Sequence, residues 1–257
     1  MATSVCLLTA PGTNCEAELA HAFALAGADA RLVSIQQARA DPGRLDADIL
    51  ALPGGFSYGD DIASGRIFAF QLVQWLGERV CAHVERGGLV LGVCNGFQVL
   101  VKSGLLPGGV QSLGRQEASL VHNDCGQFRC QWIDLAAGSP NRCVWTQGLP
   151  GGPLPMAHGE GRFVAAPERV DALRQAGQVA LVYADAAGRM AEPGTAGNPN
   201  GSIGGIAGMC DPTGRVLGLM PHPERFTDVR HHPSDWPAER EPFGLELIRT
   251  GVRAAGI

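Results

Sequence analysis

Leu89-Val-Leu-Gly-Val-Cys-Asn-Gly-Phe-Gln-Val-Leu100 is an apolar run that ends on a cysteine held between two glycines, Gly92-Val93-Cys94-Asn95-Gly96. A glycine-x-nucleophile-x-glycine set directly after a buried strand and directly before a helix is the pattern of a nucleophile elbow. The turn is sharp, and side chains at the glycine positions would collide with the neighbouring strand and helix. Such a turn lifts the Cys94 side chain to the carboxyl edge of a sheet, where open α/β folds bind their ligands. It also sets the sulfur at the start of the following helix, whose free N–H groups and dipole favour a thiolate.

The rest of the first 105 residues fits that reading. Strand-like SVCLL, ARLVS, DILAL and GLVLG alternate with helical patterns from about Glu16 to Ala26, from about Ile62 to Glu85 and from Gly96 to Lys102. Short apolar strands separated by helices predict a parallel sheet buried on both faces. From about Ser112 to Met220 the helical rhythm fades, and QFRCQWIDL, QVALVYAD and GRVLGLM lie between glycine- and proline-rich turns, which predicts a β-rich second half. Phe243 to Ala255 reads as a closing helix. No repeat or low-complexity linker divides residues 1–257, so the chain is read as one domain.

Composition removes several classes of function. Hydrophobic residues make up 45% and charged residues 18%, the balance of a soluble globular chain without a long disordered tail. The net charge of -5 comes without a basic stripe, which argues against nucleic-acid and anionic-membrane partners. Lys102 is the only lysine, so Schiff-base chemistry and a phosphate-loop lysine have almost nowhere to reside. Met1 to Ala10 lack a basic start followed by a long apolar core, and no segment has the length of a membrane span, so the expected location is the cytoplasm. The eight cysteines show no Cys-x-x-Cys or zinc-type comb, and His231-His232 has no carboxylate spacing to complete a site, so no metal is expected.

Two rivals to Cys94 exist. Gly55-Phe56-Ser57-Tyr58-Gly59 also fits the elbow pattern, but its strand ends at Leu52 and Pro53-Gly54-Gly55 intervene. The two glycines there suit a loop that brings a backbone N–H close to a substrate, as an oxyanion hole requires. Cys15, in Thr13-Asn14-Cys15-Glu16, sits in what reads as a capping box opening a helix, although no glycine bend presents it. For the proton carrier, His222 stands in Met220-Pro221-His222-Pro223-Glu224-Arg225 after a strand-like run. If the prolines keep that segment extended, Glu224 points to the same side as His222 and can orient its ring. His158, with Glu160 two residues on, is the alternative base. Its glycine-flanked segment otherwise suits a loop at the site mouth or at a partner surface.

Taken together, PGTNCEAEL, LPGGFSYGDDIASGRIFA, LGVCNGFQVL, HGEGRF, NPNGS and MPHPER resemble the glutaminase component of phosphoribosylformylglycinamidine synthase, a class I glutamine amidotransferase family of purine biosynthesis. The resemblance implies a flavodoxin-like α/β fold with helices on both faces and an added β element. It implies hydrolysis of L-glutamine through a glutamyl thioester on Cys94, with His222 as base and acid and Glu224 as the orienting carboxylate. It further implies an oxyanion hole from the backbone N–H groups of Gly55 and Asn95, with Gln98 near the bound glutamine. No cofactor belongs to this chain on that reading. ATP and magnesium go with a partner synthetase that makes formylglycinamidine ribonucleotide, accompanied in some complexes by a small accessory protein. A glutaminase or cysteine hydrolase serving a different synthetase would show the same triad, and a degenerate regulatory subunit would have lost one of its members. The stretch after Arg225, HHPSDWPAEREPFGLELI, is longer than the expected ending of a small stand-alone subunit and looks nearer to the amidotransferase end of the large single-chain synthases.

Overall fold

A computed structural model describes residues 2–234 and 236–256. The strands are β1 (Ser4–Thr9), β2 (Asp29–Ser34), β3 (Ile49–Leu52), β4 (Leu89–Val93), β5 (Ser119–His122), β6 (Arg129–Ala137), β7 (Gly151–His158), β8 (Glu160–Val164), β9 (Val179–Ala184), β10 (Ile206–Cys210) and β11 (Val216–Leu219). The helices are α1 (Glu16–Leu25), α2 (Ile35–Ala40), α3 (Arg66–Glu85), α4 (Asn95–Lys102), the single turn α5 (Leu105–Gly108), α6 (Pro167–Gln175) and α7 (Phe243–Ala255).

Nine strands form one sheet in the order β2-β1-β3-β4-β11-β10-β9-β6-β7. The first five run parallel in the flavodoxin-like order, and from β11 onward each neighbour is antiparallel. The step from β1 to β2 goes one way along the sheet, and the steps from β2 to β3, β4 and β11 go the other. Right-handed crossovers therefore put α1 on one face and α2, α3 and α4 on the opposite face. α7 returns to pack on α1, while α2, α3 and α4 pack in sequence on one another. Every residue of β3, β4 and β11 is buried, which is why these strands carry no polar alternation. β2, at the sheet edge, buries only Val33. Among the described residues no helix is long and apolar enough to cross a membrane.

The second half holds more than the sequence pattern indicates. α6 lies inside the stretch read as β-rich, and it buries only Val170 and Leu173, too few apolar positions to make a visible stripe. The strand β7 escapes a pattern reading because Pro153 and Pro155 interrupt it. Both are tolerated because β7 is the outermost strand, with one side free of ladder bonds. α3 begins at Arg66 rather than near Ile62, because Gly65 adopts φ 75° and breaks the turn before it. Only Gly159 separates β7 from β8, and there the chain leaves the large sheet to pair with β5 in a second, two-stranded sheet. HGEGRF is thus a strand junction and not the glycine-rich loop its composition indicates.

Beyond Arg225 an aromatic cluster ties the chain to β6. Phe226 lies edge-on to Trp132 at 5.1 Å and to Trp236 at 5.0 Å, with the His232 ring beside all three. Asp235, within that segment, lies outside the described residues. Phe226 is fully buried, so its truncation leaves a ring-sized cavity. We predict that Phe226→Ala lowers unfolding stability by about 3–5 kcal/mol in chemical denaturation. A loss below about 1 kcal/mol would show that the cluster does not anchor this segment.

Candidate active site

The elbow forms because three backbones approach one another without side chains between them. A Cβ on Gly92 would lie 2.5 Å from Leu100 Cδ1 and 2.7 Å from the Gly96 carbonyl oxygen. One on Gly96 would overlap the Leu52 carbonyl of β3. Between them Cys94 takes φ 51°, ψ −106°, a strained conformation for an L-residue. It is held there by its N–H donating to the Leu219 carbonyl at 2.8 Å and its carbonyl accepting from the Gln98 N–H at 3.1 Å. The sulfur sits at the N-terminus of α4, 3.8 Å from the Ala157 carbonyl oxygen of β7.

His222 follows β11, the strand beside β4, so its ring arrives at the same sheet edge. Its N–H donates to the Pro155 carbonyl at 2.8 Å, and its Nδ1 lies 2.5 Å from Glu224 Oε1. Both side chains are buried. The segment is not extended as the two prolines suggest. Pro223–Arg225 form a 3-10 turn, which folds the carboxylate back under the ring. Burial pushes the imidazole pKa down, but the Glu224 carboxylate and the Cys94 sulfur overcome it and hold His222 well above its usual value. His222 Nε2 has no hydrogen-bond partner among the described residues, so the nitrogen that faces away from Glu224 is free for chemistry.

A cavity of about 250 Å³ opens over this pair, lined by Cys15, Gly55, Asp60, Cys94, Gln98, His158, Glu160, His222 and Arg225 among others. Gly55, at φ 135°, is backed against the Gly12–Asn14 backbone, where a Cβ would lie 2.7 Å from the Asn14 nitrogen. Asn95 is the first residue of α4, where a backbone N–H has no intrahelical acceptor. Gln98 lines the cavity with its amide already engaged: Oε1 accepts from Asn95 Nδ2 at 2.9 Å, and Nε2 donates to the Glu160 carbonyl. The Glu160 carboxylate accepts from the Ser64 N–H at 3.3 Å and lies 3.9 Å from Lys102 Nζ. That lysine donates to the Ser64 carbonyl at 2.6 Å, and burial lowers its pKa despite Glu160 and Asp60 nearby. Burial likewise raises the Asp60 pKa, against the Ser64 hydroxyl that donates to it at 2.9 Å. His158, at the end of β7, is buried and lines the cavity, with Nδ1 on Asn123 Oδ1 at 3.1 Å.

The rivals separate cleanly. Ser57 Oγ is buried without a partner, and its N–H donates to Asn95 Oδ1 at 3.4 Å, so this residue ties its loop to the elbow and has no base. Cys15 caps α1 without any side-chain cap bond, and the expected capping box is absent, since Thr13 Oγ1 accepts instead from the Ala10 N–H. Burial raises its thiol pKa, the reverse of what a helix start would do alone. Cys15 nevertheless lines the site beside Gly54, whose Cβ would lie 3.0 Å from His222 Cε1 and 3.1 Å from Cys15 Sγ. Ligand atoms of Cys15, His222 and Glu224 lie within 4.8 Å of one another, a set that a transition metal could use. Glu224 Oε1 is taken by His222, however, and Arg225 Nη2 donates to Cys15 Sγ at 3.3 Å, so a cation there would face a guanidinium. His231 and His232 lie away from the cavity, His232 in the aromatic cluster. Sequence reasoning passed over Asp60, Asn123 and Arg225. Of these, Asp60 and Arg225 carried a signal, as the ends of the GGFSYGD and MPHPER motifs, and Asn123 carried none.

Residues 2–251 match the family described as CobB/CobQ-like glutamine amidotransferase domain. A protein of Dehalococcoides mccartyi named phosphoribosylformylglycinamidine synthase subunit PurQ is 43% identical over 253 residues, covering 97% of this chain and 96% of the relative. One of the same name from Treponema denticola is 40% identical, covering 96% of each. The solved structure of PurLQS from Thermotoga maritima contains a chain that superposes with a TM-score of 0.74 at 29% identity, covering 98% of this chain and 99% of that one. Because these alignments span nearly the whole length, the ending after Arg225 that resembles the single-chain synthases also occurs in relatives of subunit size. The chain belongs to the PurQ family of phosphoribosylformylglycinamidine synthase subunits and is a glutamine amidotransferase.

Proposed function

We propose that this chain hydrolyses L-glutamine at Cys94 and delivers the ammonia to the synthetase of its own complex, which converts formylglycinamide ribonucleotide to formylglycinamidine ribonucleotide. The observation that carries the reading is the buried His222–Glu224 pair, which leaves His222 Nε2 unpartnered in the cavity that the strained Cys94 elbow also lines. Thiolate attack on the side-chain carboxamide develops negative charge on oxygen, and the Gly55 and Asn95 N–H groups receive it. His222 gives its proton to the departing nitrogen, so the carbon–nitrogen bond breaks to release ammonia and leave a glutamyl thioester. It then takes a proton from the water that hydrolyses that thioester to glutamate. The Asp60 and Glu160 carboxylates supply negative charge in the cavity wall for the substrate's ammonium group. Gln98 acts by bracing the elbow against β8 and so shapes the wall.

Ammonia serves as a nucleophile only while unprotonated, so a partner must accept it directly rather than from bulk water. ATP and magnesium are assigned to that partner synthetase, with a small accessory subunit completing the assembly, and the place of action is the cytoplasm. The relatives' names support this partner over a different synthetase.

The first test is labelling with an electrophilic glutamine analogue in the assembled complex. We expect one adduct, on Cys94, suppressed by excess L-glutamine and absent from Cys94→Ala, which should lose all turnover. An adduct on Cys15 or Ser57 would refute the assignment of the nucleophile. The Glu224 carboxylate stabilises the imidazolium of His222, so removing its charge lowers that pKa. Glu224→Gln should therefore cut glutaminase kcat/KM by about 10²-fold or more, and it should move the alkaline limb of the pH profile toward lower pH. An unshifted limb would mean that His222 is not the titrating acid.

A further inference from the structure

Two histidines that line the cavity each leave the ring Nε2 buried without a partner among the described residues. Their Nδ1 partners differ, and that difference sets what each free nitrogen can do. His222 Nδ1 meets a carboxylate. His158 Nδ1 meets the Asn123 side chain, whose orientation follows from its other bonds: Nδ2 donates to the Gln127 carbonyl at 2.9 Å and the His158 carbonyl at 2.8 Å, while Oδ1 accepts from the Gly161 N–H at 3.3 Å. Asn123 Oδ1 can only accept, so His158 Nδ1 carries the hydrogen and His158 Nε2 presents a bare lone pair. Burial and the neighbouring His222 charge push the His158 pKa down to about 3, so that lone pair persists at any working pH. The ring lies flat over Gly161, where any Cβ would overlap it, so it cannot turn away without moving β8.

We propose that His158 Nε2 accepts a hydrogen bond from the carboxamide nitrogen of bound glutamine and then from the ammonia that this nitrogen becomes, an inference that rests on glutamine hydrolysis at Cys94. Ala157, its neighbour on β7, already touches the Cys94 sulfur through its carbonyl, which places His158 on the side of the cavity where the nucleophile works. In the first half-reaction the Sγ–carbon bond forms, the carbon–nitrogen bond breaks, and His222 Nε2 supplies the third proton of ammonia. His158 exchanges no proton in this step. An imidazolium in its place would protonate the product and destroy its nucleophilicity, whereas a neutral acceptor holds ammonia as the free base. The same lone pair rejects glutamate, whose side-chain carboxylate has no hydrogen to offer, and so favours product departure.

The experiment compares L-glutamine with its γ-methyl ester analogue, glutamate γ-methyl ester, whose leaving oxygen bears no hydrogen, in the assembled complex. For His158→Phe we expect kcat/KM for glutamine to fall about 10- to 100-fold while the ester changes by less than about threefold. His158→Gln, which keeps an acceptor, should recover most of that difference. Parallel loss on both substrates, or no loss on either, overturns the proposal. If the wild-type complex turns over neither substrate, it is the glutaminase reading that fails. Nitrogen NMR on wild-type protein gives a second test, independent of how the variants fold. His158 should remain in the neutral Nδ1–H form from pH 5 to 9, a pH range chosen as roughly that of working enzymes, and protonation at Nε2 would overturn the assignment.

Discussion

The Cα of Gly96 rests against the Leu52 carbonyl, and a methyl group there would overlap that oxygen. This close approach lets α4 start directly at the end of β4, which in turn forces Cys94 into its strained turn and aims the sulfur at the neighbouring strand ends. Strain of that kind costs on the order of 1–3 kcal/mol. It is offset locally by the two backbone bonds of Cys94, to Leu219 on β11 and to Gln98 one helical turn on. The bond to Leu219 has a second effect. It fixes β4 against the strand that leads three residues later to His222, so nucleophile and base share one rigid sheet edge.

Electrostatics then divides the labour between two similar rings. Both histidines are buried, and burial by itself makes an imidazole neutral. The Glu224 carboxylate reverses this for His222, whereas the uncharged Asn123 amide leaves it in force for His158. A proton donor and a proton-free acceptor thus face one cavity, and neither role is written in the histidine itself. Each comes from what the far side of the ring touches.

Some of this is legible in the sequence because it rests on local geometry. The elbow shows as glycine spacing, the parallel half of the sheet as short apolar runs, and the His222–Glu224 pair as proximity along the chain. Other parts are long-range and leave no local trace. Asn123 meets His158 only because β5 pairs with β8 in the small sheet, and β7 hides behind two prolines that an edge strand tolerates. Even where the pairing was visible its geometry was not: Glu224 reaches His222 through a 3-10 turn, and the capping box expected before α1 gives way to a thiol braced by Arg225.

The buried polar network on the other side of the elbow shows why a chain this poor in lysine keeps one. Lys102 ends α4, and its ammonium reaches the Ser64 carbonyl and the Glu160 carboxylate. Gln98 and Asn95, on the same helix, reach Glu160 and the 57–60 turn. Three segments far apart in sequence, the 57–64 loop, α4 and β8, are therefore held together by side chains of the helix that carries the nucleophile at its start. Burying an ammonium is costly unless it is paired, and here the Ser64 carbonyl and the Glu160 carboxylate meet it, with the Asp60 charge nearby. A hydrophobic side chain at position 102 could fill the space, but it would leave the Glu160 and Asp60 carboxylates facing one another in a half-dry cavity. The lysine sets a positive charge beside them at the wall of the site, so its contribution is to the electrostatics of the cavity as much as to the fold.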